Sequence, residues 1–254
     1  MSKRLFLFLI LGLMGKTCFS CTPDREPFQK SLLQDTLTLF DQQRNRKIPI
    51  AIYHSNAKNV QNKIPVILNH GYGKNKGGDY LKYSYIAETL AARGYFVISI
   101  QHELPTDELM PTSGKPQEVR LPFWERGVQN ISFVVGEMKI RYPELHFPQL
   151  VLIGHSNGGD TSMLLGQKFP ELADKIISLD NRRMALPRTK QPKIYTIRSV
   201  DFPADEGVLP NEAERREFAI RVDFSKVPHN NMGDSGSEEE KRYLIGKVLE
   251  YLQY

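Results

Sequence analysis

Residues 150–159, L-V-L-I-G-H-S-N-G-G, constrain the fold of this chain most strongly. The apolar start is typical of a buried strand, and residues 160–169 continue as a helix-compatible run. Between the two, Ser156 lies in the pattern G-x-S-x-G. A strained strand-to-helix turn of this kind needs neighbours without a Cβ, so that the strand and the helix can pack closely. The segment therefore predicts an exposed serine hydroxyl at the end of a buried strand; the alternative is a glycine-rich turn without chemistry.

Apolar runs and turn residues divide the rest of the chain into alternating strands and helices. Two segments with alternating polarity predict an opening hairpin, and the later continuous apolar runs predict buried parallel strands. The predicted strands are residues 32–40, 48–54, 64–68, 95–100, 150–153, 175–179, 193–198 and 219–227. The predicted helices are residues 80–93, 123–142, 160–169, 211–218 and 237–252, the last with a capping box at Ser237 and Glu240. This order predicts one α/β domain, residues 31–254, with a mostly parallel sheet of about eight strands and helices on both faces.

The first twenty residues differ from the rest and have the features of an export signal. Lys3 and Arg4 give a basic start, residues 5–14 are almost wholly apolar, and residues 15–20 are small and polar. The apolar stretch is too short to span a membrane as a mature helix. We expect residues 1–20 to be a signal peptide and the protein to be exported.

Both cysteines of the chain, Cys18 and Cys21, lie at the end of this segment. An exported domain without a disulfide framework needs another explanation for them. Cys21 follows Phe19 and Ser20 as in a loose bacterial lipoprotein box, which predicts lipidation of Cys21 as the first mature residue. Residues 21–30 would then be a tether to a membrane of the periplasm or cell surface, and ordinary cleavage with secretion is the alternative.

The basic composition does not indicate a nucleic-acid partner. The formal net charge is +5, from 34 basic and 29 acidic residues. Lys3, Arg4 and Lys16 belong to the predicted signal, so the mature chain is close to neutral.

Ser156 needs a base, because a serine hydroxyl is a poor nucleophile at neutral pH. Of the six histidines, only His229 follows both the serine and the candidate acids, between the last predicted strand and the last helix. We therefore predict that His229 is the base. His155 lies within the serine turn itself, and we expect its ring to point away from the hydroxyl.

Three carboxylates compete for the role of the acid that orients the base. Asp201 follows the penultimate strand, in the usual slot of the Ser, Asp, His order. Asp180 ends the preceding strand, at the same edge of the sheet, and Asp205 lies in the turn A-D-E-G-V-L-P. We favour Asp201 and keep Asp180 and Asp205 open, since Asp180 could pair with a neighbouring arginine and Asp205 could shape the turn.

Acyl transfer also needs donors for the tetrahedral oxyanion. One is the backbone N–H of Asn157, directly after the nucleophile. The second should come from the loop after residues 64–68, where H-G-Y stands, and we choose the N–H of Tyr72.

From residue 38 onward the chain resembles the α/β-hydrolase superfamily, specifically its dienelactone-hydrolase-like and platelet-activating-factor-acetylhydrolase-like esterases. The similar segments are D-Q-Q-R-N-R-K-I-P-I-A-I-Y, N-H-G-Y-G, L-A-A-R-G-Y-F-V-I-S-I-Q-H, G-H-S-N-G-G and H-N-N-M-G-D. The resemblance implies the α/β-hydrolase fold, Ser156 as nucleophile, His229 as base, and oxyanion donors at Tyr72 and Asn157. It leaves the acid open, because the acetylhydrolase-like members carry theirs at the position of Asp180. Dienelactone hydrolases proper use a cysteine nucleophile, so their activity is not implied.

The sequence thus predicts a serine esterase that works through an acyl-enzyme. No cofactor is needed, no metal-ligand spacing is visible, and only residues 181–192 stand where many relatives insert a cap, so we expect no large cap domain. The open cleft suits exposed esters, including lipids or acylated glycans. The alternatives are a surface-anchored binding protein with an inactive site, and an amidase or peptidase with the same triad.

Overall fold

The structure is a computed structural model that describes residues 32–56 and 63–254. The predicted signal peptide, the lipidation of Cys21 and the tether of residues 21–30 lie outside the described residues. Within the described ranges, no helix combines the length and the apolar character that crossing a bilayer requires.

Within the part of the chain that the structure describes, eight strands form one sheet, in the order β1-β2-β4-β3-β5-β6-β7-β8. The strands are β1 (Leu32–Asp41), β2 (Arg46–Ser55), β3 (Ile64–Asn69), β4 (Tyr95–Ile100), β5 (Val151–His155), β6 (Lys175–Leu179), β7 (Lys193–Arg198) and β8 (Arg221–Phe224). β2 pairs antiparallel with β1 and with β4, and every pair from β4 to β8 is parallel. The predicted mostly parallel sheet of about eight strands is therefore confirmed.

The described residues also form six α-helices, five between strands and one after the last strand. They are α1 (Ser84–Ala92), α2 (Pro116–Val119), α3 (Leu121–Arg141), α4 (Asn157–Lys168), α5 (Glu212–Glu217) and α6 (Glu238–Leu252). The predicted capping box is present at the start of α6, where the Glu240 N–H donates to Ser237 and the Ser237 N–H donates to Glu240.

Two predicted elements differ from the observed ones because single residues adopt a left-handed backbone. The predicted helix 80–93 is divided into a 3₁₀ turn, Asp79–Leu81, and α1, since Tyr83 between them has a φ of 64°. β8 begins later than the predicted 219–227, because Ala219 has a φ of 55° and still belongs to the turn after α5, and it also ends earlier, at Phe224.

The sheet has an apolar cluster on each face, as alternation along a strand requires. Ile67 and Ile98 contribute to the cluster that packs against α3 and α4. Val66 and Val97 contribute to the opposite cluster, which packs against α1 and α6. Helices on both faces thus bury the central strands completely, and only the ends of the strands remain for chemistry.

The strand register places three polar residues side by side at the carboxyl edge of the sheet. His155 of β5 pairs with Leu179 of β6, and Leu179 pairs with Ile197 of β7. The residues that follow these three are Ser156, Asp180 and Arg198. Adjacent parallel strands therefore present the candidate nucleophile, one candidate acid and a buried arginine at one level.

Candidate active site

Ser156 lies at the strained turn that the sequence predicts between β5 and α4. Its φ and ψ are 53° and −117°, in a region that residues with a Cβ seldom adopt. The flanking glycines allow a very close approach of strand and helix. A Cβ on Gly158 would lie 2.3 Å from the carbonyl oxygen of Asn69, and a Cβ on Gly154 would lie 2.4 Å from that of Gly158. Larger residues at these positions would force the turn apart.

The hydroxyl of Ser156 is hydrogen-bonded to His229. The Oγ of Ser156 lies 3.0 Å from the Nε2 of His229, on the short 3₁₀ helix His229–Met232 after β8. The Nδ1 of the same ring lies 2.6 Å from the Oδ2 of Asp180. With Nδ1–H donating to the carboxylate, Nε2 is free to accept the serine proton, which is the tautomer a general base requires.

Asp180 is fully buried and has further partners besides the histidine. The Nη2 of Arg198 lies 2.7 Å from its Oδ1, and the N–H of Ser199 donates to the same oxygen at 3.0 Å. Burial by itself would raise the pKa of Asp180, but the hydrogen bond from His229 and the charge of Arg198 outweigh it and hold the pKa below its usual value. The carboxylate is therefore ionised at neutral pH.

Asp201, the acid that the sequence favoured, does not contact the imidazole ring. Its Oδ1 accepts a hydrogen bond of 2.7 Å from the backbone N–H of His229. The reason for the difference is position: Asp201 lies in an exposed turn beyond the end of β7, whereas Asp180 leaves β6 directly with a φ of 57°. Asp205 is also away from the ring, since it forms an ion pair with Arg183 and accepts a hydrogen bond of 2.9 Å from Gln117.

His155 supports the backbone of His229 rather than the serine. Its Nε2 lies 3.1 Å from the carbonyl oxygen of His229, and its Nδ1 lies 2.7 Å from the hydroxyl of Tyr83. Burial is the main reason that the pKa of His155 is lowered to about 3, and the nearby His229 lowers it further. The ring is therefore neutral. Nε2–H then donates to the carbonyl, Nδ1 accepts from Tyr83, and the N–H of Gly71 donates to Tyr83 at 3.2 Å. This chain of hydrogen bonds links the loop after β3 to the loop that carries His229.

The two residues predicted to provide oxyanion donors lie next to the serine. Asn157 is the first residue of α4, where a backbone N–H has no acceptor within the helix. Its side chain is held from both sides, by Trp124 Nε1–H at 2.8 Å and by Glu103 Oε1 at 3.0 Å. The loop of Tyr72 also touches the site, because a Cβ on the preceding Gly71 would lie 3.4 Å from the Cβ of Ser156.

A cavity of about 510 Å³ opens beside the serine. It is lined by Gly71, Tyr72, Lys82, Tyr83, His155, Ser156, His229, Asn230, Gly233, Asp234 and Ser235. Among the described residues, no cluster of three or more histidine, cysteine, aspartate or glutamate side chains could hold a metal ion.

Sequence reasoning missed four residues that support this site: Arg198, Glu103, Trp124 and Tyr83. A signal existed for Arg198, because an arginine directly after the apolar run K-I-Y-T-I is a charge at the buried edge of a parallel sheet. In the sequence, Tyr83 and Trp124 cannot be distinguished from ordinary core aromatic residues. Their polar atoms acquire a role only through partners that are distant in sequence.

The comparisons with known proteins give no family by sequence, since no protein-family model and no curated protein matches the chain significantly. Solved structures do match. A putative dienelactone hydrolase from Klebsiella pneumoniae subsp. pneumoniae is similar with a TM-score of 0.62 and 12% identity, over 88% of this chain and 100% of that one. The esterase Est22 is similar with a TM-score of 0.64 and 9% identity, over 88% of this chain and 82% of that one.

A dienelactone hydrolase-like promiscuous phosphotriesterase from metagenomic libraries gives a TM-score of 0.63 and 12% identity, over 88% of this chain and 98% of that one. At such low identities the likeness concerns the fold. The shared fold agrees with the eight-stranded sheet and with the serine turn after β5. The chain has the α/β-hydrolase fold, of the kind seen in structures described as dienelactone hydrolase-like.

Proposed function

We propose that this protein is a serine hydrolase that cleaves carboxylic esters through an acyl-enzyme intermediate. The observation that carries the proposal is the unbroken path of hydrogen bonds from Ser156 through His229 to Asp180, with lengths of 3.0 and 2.6 Å. The similar solved structures, described as esterases and as a putative dienelactone hydrolase, support the same general class.

The first half of the reaction forms the acyl-enzyme. His229 Nε2 removes the proton of Ser156 while Oγ attacks the ester carbonyl, and the resulting imidazolium gives this proton to the alcohol oxygen as the C–O bond breaks. In the second half, a water molecule loses a proton to His229 and attacks the acyl carbon, and the proton then returns to Ser156. Asp180 stabilises the imidazolium without itself becoming protonated.

The negative charge of each tetrahedral intermediate needs donors near the carbonyl oxygen. We assign this role to the backbone N–H groups of Asn157 and Tyr72, each worth about 3 kcal/mol in the transition state. In the Tyr72 loop, the N–H of Gly71 already donates to Tyr83, which leaves the Tyr72 amide as the donor toward the substrate. Hydrogen bonds with Trp124 and Glu103 hold the side chain of Asn157, which favours a fixed position of its backbone N–H.

The substrate and the location form part of the same proposal. The chain between Asp180 and β7 holds only residues 181–192, so this segment forms no large cap over the serine, and esters carried on a lipid or on an acylated glycan fit such a site. Export, with a lipid anchor at Cys21, would bring the enzyme to such substrates at a membrane or cell surface. No cofactor enters the chemistry.

Hydrolysis of 4-nitrophenyl acetate by the wild-type protein and by a Ser156→Ala variant tests the proposal. We expect release of 4-nitrophenol by the wild type, a burst under pre-steady-state conditions, and loss of nearly all activity in the variant. Equal rates in both proteins would reject the proposal and favour a binding protein with this fold. The matched acetanilide distinguishes the amidase alternative, since an esterase turns it over far more slowly than the ester.

A further inference from the structure

The cavity beside Ser156 is lined mostly by polar residues. Among its described lining residues there is no aliphatic side chain and no phenylalanine; the only large apolar surfaces are the rings of Tyr72 and Tyr83. The exposed apolar side chains of the loop after β7, Val200 and Phe202, do not line it. We propose that this cavity binds the alcohol portion of the ester, and that this alcohol is polyhydroxylated, as in a sugar. The inference rests on the proposed esterase function and names its substrate class.

The alcohol side follows from the direction of proton transfer. The leaving oxygen must receive its proton from His229 Nε2, so the alcohol has to lie next to that atom. One wall of the cavity consists of His229 itself and of the segment that follows it, with Asn230, Gly233, Asp234 and Ser235. A group in this cavity therefore contacts the histidine side of the serine.

The polar groups of the cavity include both donors and acceptors. The side chain of Lys82 is 56% exposed, and its ammonium group contacts Asp79 at 2.6 Å, which leaves further N–H groups for a ligand. The amide of Asn230 is exposed and makes no hydrogen bond with any described residue. The hydroxyl of Ser235 donates to the carbonyl of Asn230 and can still accept.

Asp234 adds an acceptor that is held in place. Its Oδ2 accepts the N–H of Tyr83 at 2.8 Å, so the carboxylate is anchored to the residue before α1. A sugar hydroxyl both donates and accepts, and can replace the water around such mixed groups. An alkyl alcohol in the same place would displace this water without replacing its hydrogen bonds, and would therefore bind less well.

The size and the aromatic rings of the cavity suit a ring-shaped polar group. A volume of about 510 Å³ is within the range of small-molecule sites, roughly 300–1,000 Å³. The half-buried ring of Tyr72 lines the cavity, and the C–H surface of a sugar ring can pack on it while the sugar hydroxyls face the polar wall.

The test compares two esters that share the acetyl group and the ring size, a monoacetylated hexose and cyclohexyl acetate. Acetate release gives kcat/KM for each with the wild-type full chain, and each value is divided by the rate of hydroxide-catalysed hydrolysis of the same ester. We expect the corrected kcat/KM to be at least tenfold higher for the sugar ester.

Variants locate the preference in the cavity. Asn230→Leu should lower the sugar-to-cyclohexyl ratio at least fivefold, and Ser235→Ala should lower it by a smaller factor. Gln253→Leu is the matched control, because this exposed residue lies beyond the far end of α6, which is about 21 Å long and starts near the cavity. The control should keep the wild-type ratio.

Three outcomes separate the inference from the proposed function. A sugar preference that Asn230→Leu reduces supports both. Equal corrected kcat/KM for the two esters, in a protein that hydrolyses 4-nitrophenyl acetate through Ser156, overturns the inference and leaves the esterase function intact. Absence of hydrolysis of all three esters overturns both.

Discussion

The backbone N–H of His229 donates a hydrogen bond of 2.7 Å to Asp201, although the ring of His229 faces a different carboxylate, Asp180. The two acids that the sequence could not separate thus hold different parts of one residue. Asp180 fixes the tautomer of the imidazole, and Asp201 fixes the position of its backbone. The consequences of removing the two charges should differ accordingly.

Asp180→Asn and Asp201→Asn are therefore a matched pair. We expect Asp180→Asn to lower kcat by about 10⁴-fold, because the amide favours the wrong tautomer of the base. Asp201→Asn keeps an oxygen that can accept the N–H of His229, and we expect less than about a tenfold loss. Steady-state kinetics on 4-nitrophenyl acetate measure both. A larger loss in Asp201→Asn would assign the catalytic acid to Asp201.

Tyr83→Phe should destabilise the site more than Tyr85→Phe. The hydroxyl of Tyr83 bridges His155 and the N–H of Gly71, so its removal leaves a buried ring nitrogen without a partner, at about 1–3 kcal/mol, and also frees the half-buried N–H of Gly71. The hydroxyl of Tyr85 donates only to the carbonyl of Met232. Urea unfolding gives the free energies, and kcat should fall only in Tyr83→Phe. Equal effects in both variants would show that the bridge has no particular role.

Gly158→Ala should disrupt the serine turn, whereas Gly246→Ala should not. A Cβ at Gly158 would lie 2.3 Å from the backbone oxygen of Asn69, so strand and helix must separate, at about 1–3 kcal/mol. Gly246 is exposed in α6 with no atom within 4 Å of an added Cβ, and alanine there should stabilise by about 0.5–1 kcal/mol. Thermal unfolding and esterase assays measure both effects. Full activity in Gly158→Ala would contradict the close contact.

Asp160→Asn should change how stability depends on pH. Asp160 is buried in α4 and accepts the N–H groups of Arg183 and Met184, both at 2.9 Å. Burial outweighs these hydrogen bonds and raises the pKa of Asp160 from 3.8 to about 6. A raised pKa in the folded state means that the protonated acid stabilises the fold below pH 4, and that this contribution is lost as the pH rises toward 6.

The asparagine variant keeps an acceptor and does not titrate, so its unfolding free energy relative to wild type should increase by about 2 kcal/mol between pH 4 and pH 7. Urea unfolding at several pH values measures this difference. Asp174→Asn is the control with the opposite sign: burial raises the pKa of Asp174, but hydrogen bonds from Lys175 and Gln191 prevail and lower it. A difference for Asp160→Asn that stays constant with pH would show that the carboxyl titrates normally.

The sequence predicted the strands and the serine turn well because both depend on local patterns. The predicted bounds of β4, β6 and β7 agree with the observed ones, since continuous apolar runs end at polar residues there. The break before α1 was not predictable, because the positive φ of Tyr83 depends on Asp234, which holds its N–H from a loop far along the chain.

By itself the sequence determined the parallel α/β architecture and the serine turn at the end of a buried strand, because hydrophobic periodicity and glycine spacing act over a few residues. Only the tertiary structure decided which carboxylate reaches the imidazole. Asp180 and Asp201 both follow strands at the same edge of the sheet, and their difference arises from strand register and from where the 3₁₀ turn of His229 packs. Register and packing are set by contacts across the whole sheet, and a linear order of residues does not contain them.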